Sequence, residues 1–547
     1  MDDSELIRGD LRWGSIPGLL RDAAAVHGGR EALVDASPDD VHPQRSIRIG
    51  FDELARSADA VAAALVAVGV QPGDRVAIWA PNIWEWPVVQ LGLHSAGAVL
   101  VPLNTRYRGT EAAHILRASG ARLLFCVEGF LGNRYVSMLD DATDGLADLP
   151  HLDSIVVLRG DPPEGTVSFA DFLAGGEAVD RAEVDARVEA LGPDDLSDIL
   201  FTSGTTGAPK GVMCTHGQVL RGYAAWAGVV GLRAEDRYLV INPFFHAFGY
   251  KAGIIAALTV GATLVPEAVF DVPAAMASIA AERISMIPGP PTLYQAILNH
   301  PSFDPAALST LRLAVTGAAV VPHQLIADMR DVLGFETVIT GYGLTESCGI
   351  AAMCRHDDDI DTIAGFSGRA IPGVELRTVD EAGATTPAMQ AGELLVRGYN
   401  VMKGYFEDPD KTAETIDTDG WLHTGDVAVM DDRGDVRITD RTKDMFIVNG
   451  FNVYPAEVET LLLDHPGLAQ VAVVGVPDER AGEVGVAFAV PAAGVALDPD
   501  ELREWARGHM ANFKVPARVE VCSELPLNAS GKVLKFELRE RALADRR

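Results

Sequence analysis

The sequence predicts an α/β protein: a large N-terminal domain of two doubly wound α/β subdomains plus a small β-barrel, then a small α+β domain. Three observations predict it. Helix-patterned and strand-patterned stretches alternate through the first 195 residues. A second alternating unit opens near residue 196, behind a loop of glycines and hydroxyls. Residues 365–438 then change to short strands between glycine turns. Such alternation is the grammar of parallel sheets with helices on both faces.

The elements follow in order. Residues 51–68 are amphipathic and rich in alanine, which predicts a helix. Residues 75–79 read as a short buried strand ending at Ala80-Pro81-Asn82. Residues 84–95 read as helix and 99–103 as strand, completing a βαβ unit. Gly373, Gly383, Gly392 and Gly434 punctuate the short strands expected to form the barrel. Beyond residue 440 the pattern changes again: helix at 456–463, strands at 471–476 and 486–490, helix at 499–510. These observations divide the chain into residues 1–440 and 441–547, the latter long enough to fold as a domain.

Composition bounds the function. The chain has 547 residues, 48% of them hydrophobic, which is ample for more than one core. A net charge of −32 repels phosphates and excludes nucleic acid and anionic membranes as partners. The longest apolar stretch, 252–266, is too short for a membrane span. The start, Met1-Asp2-Asp3-Ser4-Glu5, is acidic and leads into no apolar export signal. Five scattered cysteines (Cys126, Cys214, Cys348, Cys354 and Cys522) predict a reduced, cytoplasmic protein. The oligomeric state stays open, a homodimer among the options. Only 8 of the 45 basic residues are lysines, so arginine carries generic surface duty. A lysine that persists against this bias marks a place needing a compact ammonium.

The most informative stretch runs Thr202-Ser203-Gly204-Thr205-Thr206-Gly207-Ala208-Pro209-Lys210-Gly211, directly after Ile199-Leu200-Phe201. Glycines let backbone N–H groups turn toward an anion, hydroxyls add donors, and Lys210 adds charge. This is a phosphate cradle. It is not the G-x-x-x-x-G-K-S/T loop, because Pro209 stands where that pattern needs glycine.

Four further motifs follow it in order: Gly341-Tyr342-Gly343-Leu344-Thr345-Glu346-Ser347, Trp421-Leu422-His423-Thr424-Gly425-Asp426, Asp440-Arg441-Thr442-Lys443-Asp444 and Asn528-Ala529-Ser530-Gly531-Lys532. Together the five resemble those of the adenylate-forming enzymes: acyl-CoA synthetases, adenylation domains of peptide synthetases, and luciferases. The resemblance spans nearly the whole chain. It implies ATP, Mg²⁺ and coenzyme A as cofactors and a small carboxylic acid as substrate. The phosphate loop and Gly341-Tyr342-Gly343 would hold ATP, with Tyr342 as the adenine face. Thr345 would touch the α-phosphate and Glu346 would hold Mg²⁺. Asp426 and Arg441 would bind the ribose, and Gly317-Ala318-Ala319 would run beside the adenine and acyl pocket.

A carboxylate is a poor acyl donor, and adenylation gives it AMP as a leaving group. The enzyme must hold two anions together, which requires a cation between them. By resemblance that cation is Lys532. Asn242-Pro243-Phe244-Phe245-His246 resembles the family's aromatic-histidine segment, with His246 as gate or neighbour of the carboxylate. Phe245, Gly249, Tyr250, Lys251, Gly289, Pro290 and Thr292 would then line the acyl pocket. At its end the Lys251 ammonium could hydrogen-bond a ring ketone. Asp440 resembles the hinge about which the C-terminal domain turns between half-reactions. Lys443, Asn449, Gly450, Phe451 and Lys514 would face coenzyme A.

Among the ligases of the family, the strings 241–246, 248–253, 288–292 and 511–514 are similar to those of actinobacterial steroid catabolism. That similarity implies a bicyclic indane-dione propionate as the acid. A medium- or long-chain fatty acid, or loading of a carrier protein, remains the alternative. A non-catalytic nucleotide sensor is disfavoured because Lys532 and Glu346 are both present.

Overall fold

The computed structural model describes residues 12–36, 46–143, 148–202, 209–317, 321–441, 444, 446–448, 451–453, 455–478, 481–510, 512–527 and 533–544. Several expected elements form within a residue or so of their predicted ends: helices Phe51–Ala67 and Glu85–Ser95, strands Arg75–Trp79 and Val99–Pro102. Alanines make the first helix flat enough to pack, and Ala58, Val61, Ala62 and Leu65 are fully buried. Gly92 of the second helix faces it, where a Cβ would fall 2.5 Å from the Val61 Cβ.

Eight strands form the first sheet, in the order Gly404–Tyr405, Lys210–Thr215, Leu196–Thr202, Val99–Pro102, Arg75–Trp79, Leu123–Val127, Ser154–Arg159 and Val167–Ser168. Its central strands run parallel; each of the first three is antiparallel to its neighbour among them. The second layer takes strands Ile47–Gly50, Glu31–Asp35, Thr263–Pro266 and Arg237–Val240. Bridges through Met286 connect it to Leu313–Thr316 and Thr337–Tyr342.

This corrects the expected division of the first two units. The strand at 196–202 does not open the second sheet but extends the first, beside Val99–Pro102. The hairpin at 31–50 belongs to the second sheet, with Leu33 beside Leu264. Alternation specifies strands, while pairing across 200 residues is decided by packing. One continuous core joins both sheets.

The expected barrel takes the form of a four-stranded antiparallel sheet: Val374–Val379, Gly392–Gly398, Leu422–Met430 and Val436–Arg441. A five-stranded sheet follows, built from Phe446–Val448, Phe451–Val453, Leu468–Asp478, Gly482–Pro491 and Arg518–Val521. Period-two alternation splits its residues between two cores. Val471, Val473, Ala487 and Ala489 face one side; Ala472, Val474, Val486 and Phe488 face the other. Helices Pro455–Leu463 and Pro499–His509 contribute Val458, Leu462, Leu502 and Ala506 to the first core, and Lys535–Ala544 contributes Leu538 and Ala542 to the second. Among the described residues no helix is long and apolar enough to cross a membrane. All five cysteines are free thiols.

Candidate active site

The phosphate-loop motif falls between two antiparallel strands in which Thr202 stands opposite Lys210. Ser203, Gly204, Thr205, Thr206 and Gly207 lie outside the described residues. Lys210 is held at the start of its strand, with Nζ 5.3 Å from the centre of the Tyr405 ring. Tyr405 arrives there because Gly404–Tyr405 adds to the sheet edge, Tyr405 opposite Val212. Its hydroxyl donates to Glu346 Oε1 at 2.9 Å. Burial, then the Glu346 charge, pushes the phenol pKa up, so Tyr405 stays protonated and donates. Lys210, Tyr405 and Glu346 therefore form one connected group.

Glu346 sits on a single tight turn, Thr345–Ser347, after the strand Thr337–Tyr342. The backbone N–H of Met402 donates to the Glu346 carbonyl at 2.8 Å. Ser347 Oγ accepts from Leu344 N–H at 3.1 Å, closing the turn. Gly343 is required here, since a Cβ would lie 2.3 Å from the Gly349 carbonyl oxygen. Thr345 is half-buried beside Glu346.

Tyr342 and Asp426 meet directly: the phenol donates to Asp426 Oδ2 at 2.5 Å. Asp426 is only 4% exposed, and Thr424 Oγ1 accepts from its N–H at 3.0 Å. Sheet register places Arg441 opposite Asp426 and Asp440 opposite Val427. The two residues assigned to the ribose are thus cross-strand partners, and the residue assigned as hinge is the next-to-last of its strand. Gly317 directly follows the neighbouring strand Leu313–Thr316, and a Cβ there would stand 3.5 Å from the Gly341 carbonyl oxygen. Ala318 and Ala319 lie outside the described residues.

The segment carrying His246 is fixed by a residue the sequence reading left without a role. Asn82 Nδ2 donates to the carbonyls of Val240 and Asn242, at 3.1 and 2.9 Å, and Asn82 Oδ1 accepts from Phe244 N–H at 2.8 Å. His246 Nδ1 accepts from Phe248 N–H at 3.2 Å. The imidazole is exposed to solvent on one side and crowded by protein on the other. That crowding, and then the Lys251 charge, lowers its pKa. Phe245 and Pro290 are half-buried and Thr292 is exposed, while Gly249, Tyr250 and Gly289 are buried.

The expectation that Lys251 stands open at a pocket end is corrected. Its side chain is fully buried and pairs with fully buried Asp198, Nζ to Oδ1 at 2.9 Å. The approach is oblique, so Oδ1 takes the charge contact without an aligned hydrogen bond. A buried ammonium needs a counter-charge, and Asp198 supplies it where a ring ketone was expected.

On the C-terminal side, an open cavity of about 370 Å³ is lined by Val448, Ala481, Val484, Gly485, Asn512, Phe513 and Val515. Lys514 borders its Phe513 wall, Nζ 5.7 Å from that ring centre. The Phe451 backbone pairs with Val448. Lys443, Asn449, Gly450 and Lys532 lie outside the described residues. No cluster of three metal-ligating side chains occurs among the described residues. Among the described residues Glu346 belongs to no such cluster, and a single carboxylate suits Mg²⁺ completed by phosphate oxygens and water.

Comparison with known proteins agrees with this arrangement. Residues 20–406 match the model of the AMP-binding enzymes, and residues 457–532 match that of the AMP-binding enzyme C-terminal domain. The chain belongs to the AMP-binding enzyme family. This AMP-binding enzyme is 49% identical over 526 residues to a 3-(7a-methyl-1,5-dioxo-octahydro-1H-inden-4-yl)propanoyl:CoA ligase of Rhodococcus jostii, covering 96% of this chain and 98% of that one. A ligase of the same description from Mycobacterium tuberculosis is 48% identical, covering 95% of this chain and all of the other. The fold matches that of an anthranilate CoA ligase in complex with anthranoyl-AMP, with TM-score 0.84, 28% identity and full coverage of both chains.

Proposed function

We propose that this AMP-binding enzyme is an ATP-dependent acid:CoA ligase whose acid is a bicyclic dioxo-propanoate of the indane-dione class, a degradation product of steroid rings. In the first step a carboxylate oxygen attacks the α-phosphorus and pyrophosphate leaves. In the second the CoA sulfur attacks the acyl carbonyl and AMP leaves with the carboxylate oxygen. Both steps are governed by positioning and charge stabilisation. Tyr342 and Asp426 orient the nucleoside. Lys210 and the residues 203–207 hold the phosphates. Glu346, its carboxylate oriented by Tyr405, would hold Mg²⁺, which supplies charge neutralisation on the phosphates. Lys532 bridges carboxylate and α-phosphate. Lys443, Asn449, Gly450, Phe451 and Lys514 receive CoA after a turn of residues 441–547 about Asp440.

The observation that carries the choice of acid is similarity along the full chain, at 49% and 48%, to two ligases of that acid. The test is AMP release over a panel of acids, with and without CoA. The bicyclic dioxo-propanoate should give kcat/KM at least tenfold above octanoate, palmitate and aryl propionates. A fatty acid that matches or exceeds it overturns the choice of acid.

A further inference from the structure

A buried ion pair is a weak source of stability, because desolvation offsets the attraction and an apolar pair of the same shape often serves as well. The Lys251–Asp198 pair, closed off from solvent on both sides, therefore calls for another reason to exist. Its surroundings supply one. Asp198 lies on the strand Leu196–Thr202 that delivers the phosphate loop, four residues before Thr202. Lys251 Nζ also lies 3.5 Å from Cys348 Sγ, two residues beyond Glu346. The Cys348 thiol also interacts with that of Cys214, on the strand that begins at Lys210. Lys251 itself follows His246 by five residues, at the start of a wide, π-type helical turn spanning Tyr250–Ile255. Such turns give up regular helix geometry and recur at functional sites.

The exit of the Glu346 turn is under tension that this cluster can hold. Cys348 has φ of 58°, a left-handed conformation unusual for a residue with a side chain. Tyr223 OH donates to its carbonyl at 3.0 Å, and Lys251 approaches its sulfur. Ser197 Oγ donates to the other Asp198 oxygen at 2.7 Å. One ammonium thus touches the supports of the phosphate loop and of Glu346, and stands on the segment that presents His246.

Resting on the adenylation reading above, we propose that Lys251, through Asp198 and Cys348, is a positioning residue that fixes the strand leading into the phosphate loop, Leu196–Thr202, and the Glu346 turn in one frame for acyl-adenylate formation. It touches no reacting atom. Its loss should lower the rate of the step rather than the affinity for nucleotide, because the frame acts on relative placement.

The test compares wild type, Lys251→Met, and the double variant Lys251→Met/Asp198→Asn by thermal unfolding and acid-dependent ATP–pyrophosphate exchange. Lys251→Met leaves Asp198 buried and unpaired, so its Tm should fall. The double variant removes both charges and should recover most of that Tm. The expected result is that its exchange kcat nevertheless stays at least tenfold below wild type, with KM for ATP within about threefold. Recovery of kcat together with Tm would overturn the proposal and make the pair structural. A rise in KM with kcat unchanged would overturn it as well. Exchange is measured without CoA, so an error about the thiol acceptor or the best acid shows in wild type alone. Should wild type exchange with no acid tested, the adenylation reading itself fails, and the proposal that rests on it is overturned with it.

Discussion

Tyr405→Phe tests the nucleotide frame with a single atom. Phenylalanine keeps the ring beneath Lys210, 5.3 Å from Nζ, and removes only the hydroxyl that donates to Glu346 at 2.9 Å. A hydrogen bond to a charged group contributes about 1.5–3 kcal/mol. Here the donor is buried and its acceptor only partly exposed, so little water replaces it. If the Glu346 rotamer matters in the transition state, kcat/KM for Mg·ATP in pyrophosphate exchange should fall about 10- to 150-fold. Tyr405→Ala should cost about a further 0.5–1 kcal/mol by removing the ring from Lys210. The assay is exchange at saturating acid with ATP varied, alongside unfolding to verify that the fold survives. Unchanged or improved kcat/KM in Tyr405→Phe would refute the assignment of Tyr405 as the group orienting Glu346.

Acid should destabilise the fold through two buried imidazoles. His94 Nδ1 lies 2.8 Å from Gln90 Nε2 and Nε2 2.9 Å from the Ser197 carbonyl, while His216 Nδ1 accepts from Ile16 N–H at 3.3 Å. Burial lowers His216 to about 3 and holds His94 well below its ordinary value. The unfolded chain binds these protons below pH 6.5 and the native state does not. Stability is therefore full well above that pH and should fall by about 3 kcal/mol between pH 6.5 and 5, measured by urea unfolding. Lys532→Ala should remove pyrophosphate exchange by a factor of at least about 100. It should spare transfer from supplied acyl-AMP to CoA, followed as thioester formation.

Much of this site was legible as local text. The phosphate loop, the Tyr342–Glu346 turn and the Asp426 strand each carry their chemistry within about ten consecutive residues, so their types and order were visible. What joins them was not. Tyr405 belongs to a two-residue edge strand with no periodicity, and its value comes from lying opposite Val212. Asn82 reads as the end of a strand, and only folding brings it within reach of Asn242 and Phe244. Lys251 was marked by the scarcity of lysine. Its partner Asp198, 53 positions earlier, sits in an apolar strand where a lone aspartate gave no signal of a buried pair. The same limit governed the sheets: the apolar run 199–201 could be read, but not that its strand joins the first sheet while strand 31–35 belongs to the second.

The most direct measurement labels both carboxylate oxygens of the bicyclic dioxo-propanoate with ¹⁸O and follows the oxygen through a complete reaction with ATP and CoA. The account predicts the acyl-CoA, pyrophosphate without label, and AMP carrying one ¹⁸O, because the carboxylate attacks the α-phosphorus and one of its oxygens leaves with AMP. Formation of ADP with label in orthophosphate, or no acyl-CoA from this acid, would contradict it.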